Sequence, residues 1–220
     1  MTLRALIFDF DGTIVDTESP AHSSTAGIWE RHGVELDLDW WIGGLGTDRK
    51  LSWVEALEEA VGRPLDHAAL LAERQRVKDL ATDRQPVLPG VHDLVEAARS
   101  RGMQLAVGSS SEHRWVDRHL ERVRLLDRFD HVVCRDDVGG QAKPAPHVFL
   151  RAVELLGVEP HETVVIEDSH NGVAAARAAG IHALVVPNPL LAHLDFPDAR
   201  WRCGSLDEHL PHDLLDLLHG

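Results

Sequence analysis

The sequence predicts an α/β fold: a parallel, Rossmann-like sheet core flanked by helices, with an α-helical domain inserted after the first strand. Three observations carry that prediction. The apolar run Ala5-Leu6-Ile7, leading into Phe8, has the length and branching of a strand buried on both faces. From about Asp16 to Gln85 the pattern is helical, with no strand signal. From Val91 onward, short β-branched runs alternate with helix-length segments, as in a parallel sheet covered on both faces.

Element by element, the insertion is expected to hold three helices. The first covers Thr25–His32 and stops at Gly33. The second covers Leu51–Ala60 and ends near Gly62-Arg63-Pro64, and the third follows Asp66 towards Leu80. Pro86 and Pro89-Gly90 mark the return to the core. There the expected order is helix Val91–Arg101, strand Gln104–Val107, helix His113–Val123 and strand His131–Cys134. Helix Pro146–Leu156, strand Thr163–Ile166, helix Val173–Ala179 and strand Ala183–Val186 follow. The tail Leu206–Leu218 reads as a closing helix. Residues 1–15 and 87–220 therefore form the expected core, and 16–86 the insertion.

Composition narrows the partners. With 220 residues and 44% apolar content, the chain is long enough for one sizeable core with a modest insertion. Its 36 acidic and 22 basic residues leave a formal charge of −14, which disfavours nucleic acid and anionic membrane. The two cysteines, Cys134 and Cys203, lie far apart and suggest a reduced, cytoplasmic protein. No stretch approaches the length of a membrane span, and no signal-peptide pattern is present. The 15 histidines form no HxxxH or Cys/His spacing, so no zinc site is read from them.

The chemistry is expected where strands end. Asp9 and Asp11 lie two apart beyond the first strand, and side chains two apart on a strand share a direction. Close carboxylates repel unless a cation or proton intervenes, so a divalent metal is the natural partner. Gly108-Ser109-Ser110-Ser111 follows the second strand, Glu167-Asp168-Ser169 follows Val164-Val165-Ile166, and Lys143-Pro144 precedes the Pro146 helix. Alone, each has a plain explanation as a helix cap, a loop start or a surface cation. Together they place acids, hydroxyls and one ammonium at one sheet edge. Oxygen ligands suit Mg²⁺, and the hydroxyls, backbone N–H groups and ammonium suit a phosphoryl group.

These motifs, in this order, resemble the haloacid dehalogenase superfamily, in the subgroup of β-phosphoglucomutase and small sugar-phosphate phosphatases. Asp9-Phe10-Asp11-Gly12-Thr13 matches the first motif, Ser109 the second, Lys143 the third and Glu167-Asp168 the fourth. The resemblance spans nearly the whole chain and makes the insertion a cap. It implies Asp9 as a nucleophile forming an aspartyl-phosphate, and Asp11 as the general acid and base. It implies Mg²⁺ held by Asp9, the Asp11 carbonyl and Asp168, with Glu167 as a ligand or just behind. Ser109 and Lys143 would hold the phosphoryl group, with Gly12, Thr13 and Ser110 close to the substrate.

Hydrolysis of a small phosphorylated metabolite, a sugar phosphate, is the favoured reading. The mutase would want a histidine where Ala21 stands, with His22, a candidate substrate contact if the register shifts, one residue later, and a Lys-Asn pair where Glu112-His113 stands. The mutase is the alternative, and a phospho-accepting receiver-type switch is a third reading. Dehalogenation is disfavoured by Asp11. In the cap, the glycine-rich run 43–49 matches the family's specificity loop; it either offers Arg49 or Lys50 to the substrate or only connects two helices. Of Trp29, Trp40, Trp41 and Trp53, most are expected in the cap core with one lining the substrate pocket, and Arg74 and Arg76 are expected on a solvated face rather than as distal substrate contacts. A monomer or weak homodimer is expected.

Overall fold

In the computed structural model, residues 2–43 and 51–219 are described. They contain strands β1 (Ala5–Phe8), β2 (Gln104–Gly108), β3 (His131–Val133), β4 (Thr163–Glu167), β5 (His182–Val185) and β6 (Trp201–Arg202). These form one sheet in the order β3-β2-β1-β4-β5-β6, every pairing parallel. Branched apolar side chains explain the interior: every residue of β1 and β4 is buried. The register then places the strand ends level. Phe8 pairs with Val107 on one side and Ile166 on the other. Strand order reverses at β1, so the next residues of β1, β2 and β4 share one edge at the crossover point, where open α/β sheets bind ligands.

The helices are α1 (Glu18–Arg31), α2 (Leu38–Ile42), α3 (Trp53–Val61), α4 (His67–Thr82), α5 (Val91–Ser100), α6 (His113–Arg122), α7 (His147–Leu156), α8 (His170–Ala178) and α9 (Pro211–His219). The chain divides into two compact units, Met1–Asp16 with Pro86–Gly220, and Thr17–Gln85. In the first, Leu6, Phe8, Leu94, Leu105, Val116 and Leu214 belong to one continuous core.

The second unit packs Ile28, Trp29, Trp41, Val54, Leu57 and Leu70 together, with Trp40 and Trp53 against them. Its helix ends follow local chemistry. Ser52 and Glu55 make a reciprocal capping box on α3, which stops at Gly62 with φ 73°. Asp66 caps α4 by accepting from Ala69 N at 3.0 Å.

Several boundaries differ from the sequence reading. α1 begins at Glu18 and not Thr25, because Pro20 falls in its first turn, where no intrahelical N–H is needed. The five-residue α2 is too short to show periodicity; Asp37 starts it by accepting from Trp40 N at 2.6 Å. The two-residue β6 was equally silent in the sequence. The tail is a short 3-10 turn over Leu206–Glu208 followed by α9 from Pro211. Arg74 is not a solvated side chain. Its Nε donates to Thr25 Oγ1 at 3.2 Å, and its guanidinium lies 5.9 Å from the centre of the Trp41 ring. No helix among the described residues is long and apolar enough to cross a membrane.

Candidate active site

Backbone pairing continues one residue past the strands and so fixes the first site residues. Asp9 N donates to Ile166 O at 2.9 Å, and Ser109 N donates to Val133 O at 2.9 Å. Asp9, Glu167 and Asp168 then meet, with one carboxylate oxygen from each within 4.8 Å of the other two, and all three residues are buried. Lys143, itself buried, donates from Nζ to Asp9 Oδ1 and to Glu167 Oε1, the latter at 2.7 Å. Its ammonium also lies 4.6 Å from the centre of the Phe149 ring. The loop that delivers it is held by Lys143 N donating to Ser110 Oγ at 3.0 Å.

The carboxylates are individually oriented. Glu167 Oε2 accepts from Asp168 N, Ser169 N and Ser169 Oγ at 2.9, 3.0 and 2.9 Å. With Lys143 on its other oxygen, Glu167 is the anchor of the network. Gly172 makes room for it, since a Cβ there would stand 1.7 Å from Glu167 Cδ. Asp168 Oδ2 accepts from Asn188 Nδ2 at 2.6 Å. Gly12 lies against the same oxygen: with φ +87° and a would-be Cβ 2.0 Å from Asp168 Oδ2, no other residue fits.

Asp11 is held apart from this trio. Its Oδ2 accepts from Ser111 Oγ at 2.5 Å and its Oδ1 from Trp115 Nε1 at 2.9 Å. Ser109 Oγ accepts from Ser111 N at 3.0 Å, leaving its proton to donate elsewhere. Thr13 Oγ1 is buried with no hydrogen-bond partner. The Gly12 N–H is already given to Val15 O at 2.8 Å, so Gly12 serves the site by its small size. His22 lies in α1 of the helical unit, its ring edge-on to Trp41 at 5.8 Å. Burial lowers its pKa, and its Nε2 has no hydrogen-bond partner. Arg49 and the rest of the run 44–50 lie outside the described residues.

Two residues escaped sequence reasoning, Asn188 and Trp115. Asn188 follows β5 at the same sheet edge, and a polar residue between Pro187 and Pro189 after an apolar strand was the available signal. Trp115, in the first turn of α6, gave no signal, because an indole donor is indistinguishable from core aromatic area in a sequence.

Electrostatics sets the state of the trio. Burial pushes the Asp9 carboxyl up to about 8; Lys143 opposes this, while the charges of Glu167 and Asp11 reinforce it. Burial works against the Lys143 charge too, but Asp9 and Glu167 outweigh it and raise its pKa. Once Asp9 ionises, three carboxylates against one ammonium carry an excess of negative charge that a divalent cation would neutralise. The donors are all oxygen, which fits a hard cation such as Mg²⁺.

A parallel sheet that gathers buried acids and one lysine at its crossover edge defines a class: α/β proteins whose chemistry sits at strand ends. The family model of haloacid dehalogenase-like hydrolases matches residues 3–180, and the chain belongs to that family. Bacillus subtilis YhcW is 37% identical over 217 residues, covering 99% of this chain and 98% of that protein. The fructose-1-phosphate phosphatase YqaB of Escherichia coli is 36% identical over 184 residues, covering 82% and 95%. A crystal structure of the haloacid dehalogenase-like protein ATU0790 from Agrobacterium tumefaciens superposes with TM-score 0.78 at 26% identity, covering 98% and 99%.

Proposed function

We propose that this hydrolase is a Mg²⁺-dependent phosphatase that cleaves a small sugar phosphate through an aspartyl-phosphate on Asp9. The observation that carries the reading is the buried Asp9–Lys143–Glu167 bridge beside Asp168 at the strand ends. Family membership and the phosphatase activity in the name of YqaB support the substrate class. Asp9, Asp168 and Glu167 would hold the cation, with the Asp11 carbonyl as a further oxygen. When bound, Mg²⁺ supplies positive charge that favours ionised Asp9 and offsets repulsion between carboxylate and phosphate.

The chain's own residues do the rest. Asp9 attacks phosphorus, and the bond from phosphorus to the sugar oxygen breaks. Asp11 gives its proton to the departing oxygen, then takes one from the water that attacks phosphorus and frees Asp9. Ser111 and Trp115 aim the Asp11 carboxyl for both transfers. Lys143 steadies Asp9 and the phosphoryl oxygens, and Ser109 donates to one of those oxygens. The transfer is mostly positioning and charge stabilisation.

Hydrolysis is favoured over the mutase reaction by the residues after the serines. Glu112 pairs with Arg135 at 2.9 Å, and His113 lies between Asp117 and Asp137 at 3.1 and 2.7 Å. An acid and an imidazole engaged with other side chains are poor receivers of a second phosphate.

The test is phosphate release across sugar phosphates, nucleotides, phosphoglycolate and pyrophosphate, with Mg²⁺ and with excess chelator. A sugar phosphate should lead, and chelation should stop turnover. Full activity in chelator would end the metal reading. With β-glucose 1-phosphate and a trace of the 1,6-bisphosphate, phosphorus NMR should show inorganic phosphate; faster growth of glucose 6-phosphate would establish the mutase instead.

A further inference from the structure

A second cluster of ligand atoms lies in the sheet unit, separate from the carboxylate trio. An imidazole nitrogen of His113, the Cys134 sulfur and a carboxylate oxygen of Asp136 lie within 4.8 Å of one another. They come from three pieces of chain: the first residue of α6, the residue after β3, and the 3-10 turn Arg135–Val138. The sequence hid this grouping, because 21 positions separate the histidine from the cysteine and no metal-binding spacing recurs.

We propose that His113, Cys134 and Asp136 form a binding site for a divalent transition metal of the zinc type. The donor set decides the class: sulfur and imidazole favour zinc over the hard cations that suit the all-oxygen trio. The surroundings are already arranged as an outer layer. His113 Nδ1 lies 3.1 Å from Asp117, and its Nε2 lies 2.7 Å from Asp137 Oδ2. Whichever nitrogen takes the metal, the other keeps a carboxylate to hold the ring, the usual support of a metal-bound imidazole. Asp137 Oδ2 also accepts from Cys134 N at 2.8 Å, and Asp136 accepts from His113 N at 3.3 Å.

Charge points the same way. Asp117, Asp136 and Asp137 surround the thiol and imidazole; Arg135 is committed to Glu112. Burial first, and these acids second, raise the pKa of Cys134, so the thiol keeps its proton until a cation takes its place. On binding, the sulfur–hydrogen bond breaks, the proton leaves to solvent, and the sulfur lone pair goes to the metal. Cys134 is fully buried, but Asp136 is exposed and His113 half-buried, which leaves an entry from the Asp136 side.

The consequence is mechanical. Ser111 and Trp115, which hold Asp11, flank His113, and Arg135 N donates to Ser111 O at 3.0 Å. A metal here would staple the segment that aims the Asp11 carboxyl to the end of β3.

The test is Co²⁺ titration of the whole chain in excess Mg²⁺, followed by absorption spectroscopy. One equivalent should give tetrahedral ligand-field bands and a sulfur-to-cobalt charge-transfer band, which an oxygen-only site cannot produce. Zn²⁺ should abolish both and raise the melting temperature. Cys134→Ser should remove the charge-transfer band. Because Cys134 is buried, the surface variants His113→Ala and Asp136→Asn provide the second arm, each weakening binding by about tenfold or more. Absence of the charge-transfer band in the folded wild type, or its persistence at full affinity in His113→Ala and Asp136→Asn, would overturn the proposal.

Discussion

In the sheet unit, Asp9, Lys143 and Glu167 are buried beside the strand valines, yet each is hydrogen-bonded. In the helical unit, His22 Nε2, Trp29 Nε1 and the hydroxyls of Thr17 and Thr82 are buried with no hydrogen-bond partner. An unpaired buried polar atom costs about 1–3 kcal/mol, so the two units spend stability differently. The acids and the lysine of the sheet unit are fixed in advance, as charge-stabilising chemistry requires. The helical unit leaves these polar atoms without a partner. Thr13 Oγ1 departs from this pattern, an unpaired hydroxyl in the loop of the trio.

The largest effect that would test this contrast is at Asp9. Asp9→Asn nearly preserves shape but removes the nucleophile, so turnover should fall by about a thousandfold or more with the thermal transition kept. Activity within about tenfold of wild type would mean that the buried trio is structural.

Asn188 should come next. Asn188→Ala removes the donor to Asp168 Oδ2 and should cost about tenfold in kcat while raising the Mg²⁺ concentration needed for half-activity. A change in stability alone, with the metal requirement unmoved, would place Asn188 outside the site.

Arg49 tests the other unit. Arg49→Ala should raise KM for the best sugar phosphate by about tenfold, and change hydrolysis of p-nitrophenyl phosphate far less. Equal loss on both substrates would assign Arg49 to folding, and no change on either would move specificity to another cap residue.

The smallest effect is on stability against pH without metal. The Asp9 pKa is raised to about 8 in the folded chain from an ordinary value near 3.8, so the native state binds the extra proton between those limits. Stability should therefore fall as pH rises from about 4 to 8 and level off above, read as a falling Tm. Lys143, whose pKa is raised, keeps its contribution throughout that window. Saturating Mg²⁺ should flatten the slope; an equal slope with Mg²⁺ would separate the cation from Asp9.

Much of this molecule is written locally. A run such as Ala5–Phe8 can only be satisfied by burial on two faces, and acids, serines and glycines directly after such runs mark where chemistry gathers. The division near Asp16 and Pro86 shows as a change of period, because helices and strands bury side chains at different intervals. Short elements were illegible: α2 and β6 are held by capping and by an existing sheet edge, not by their own pattern. Only the tertiary structure could show that Asn188 orients Asp168, that Trp115 and Ser111 hold Asp11 apart from the trio, or that His113 meets Cys134 and Asp136. The physical reason is range: strand burial is decided over a few residues of sequence, whereas a hydrogen bond across 104 positions exists only once the sheet has brought its strand ends level.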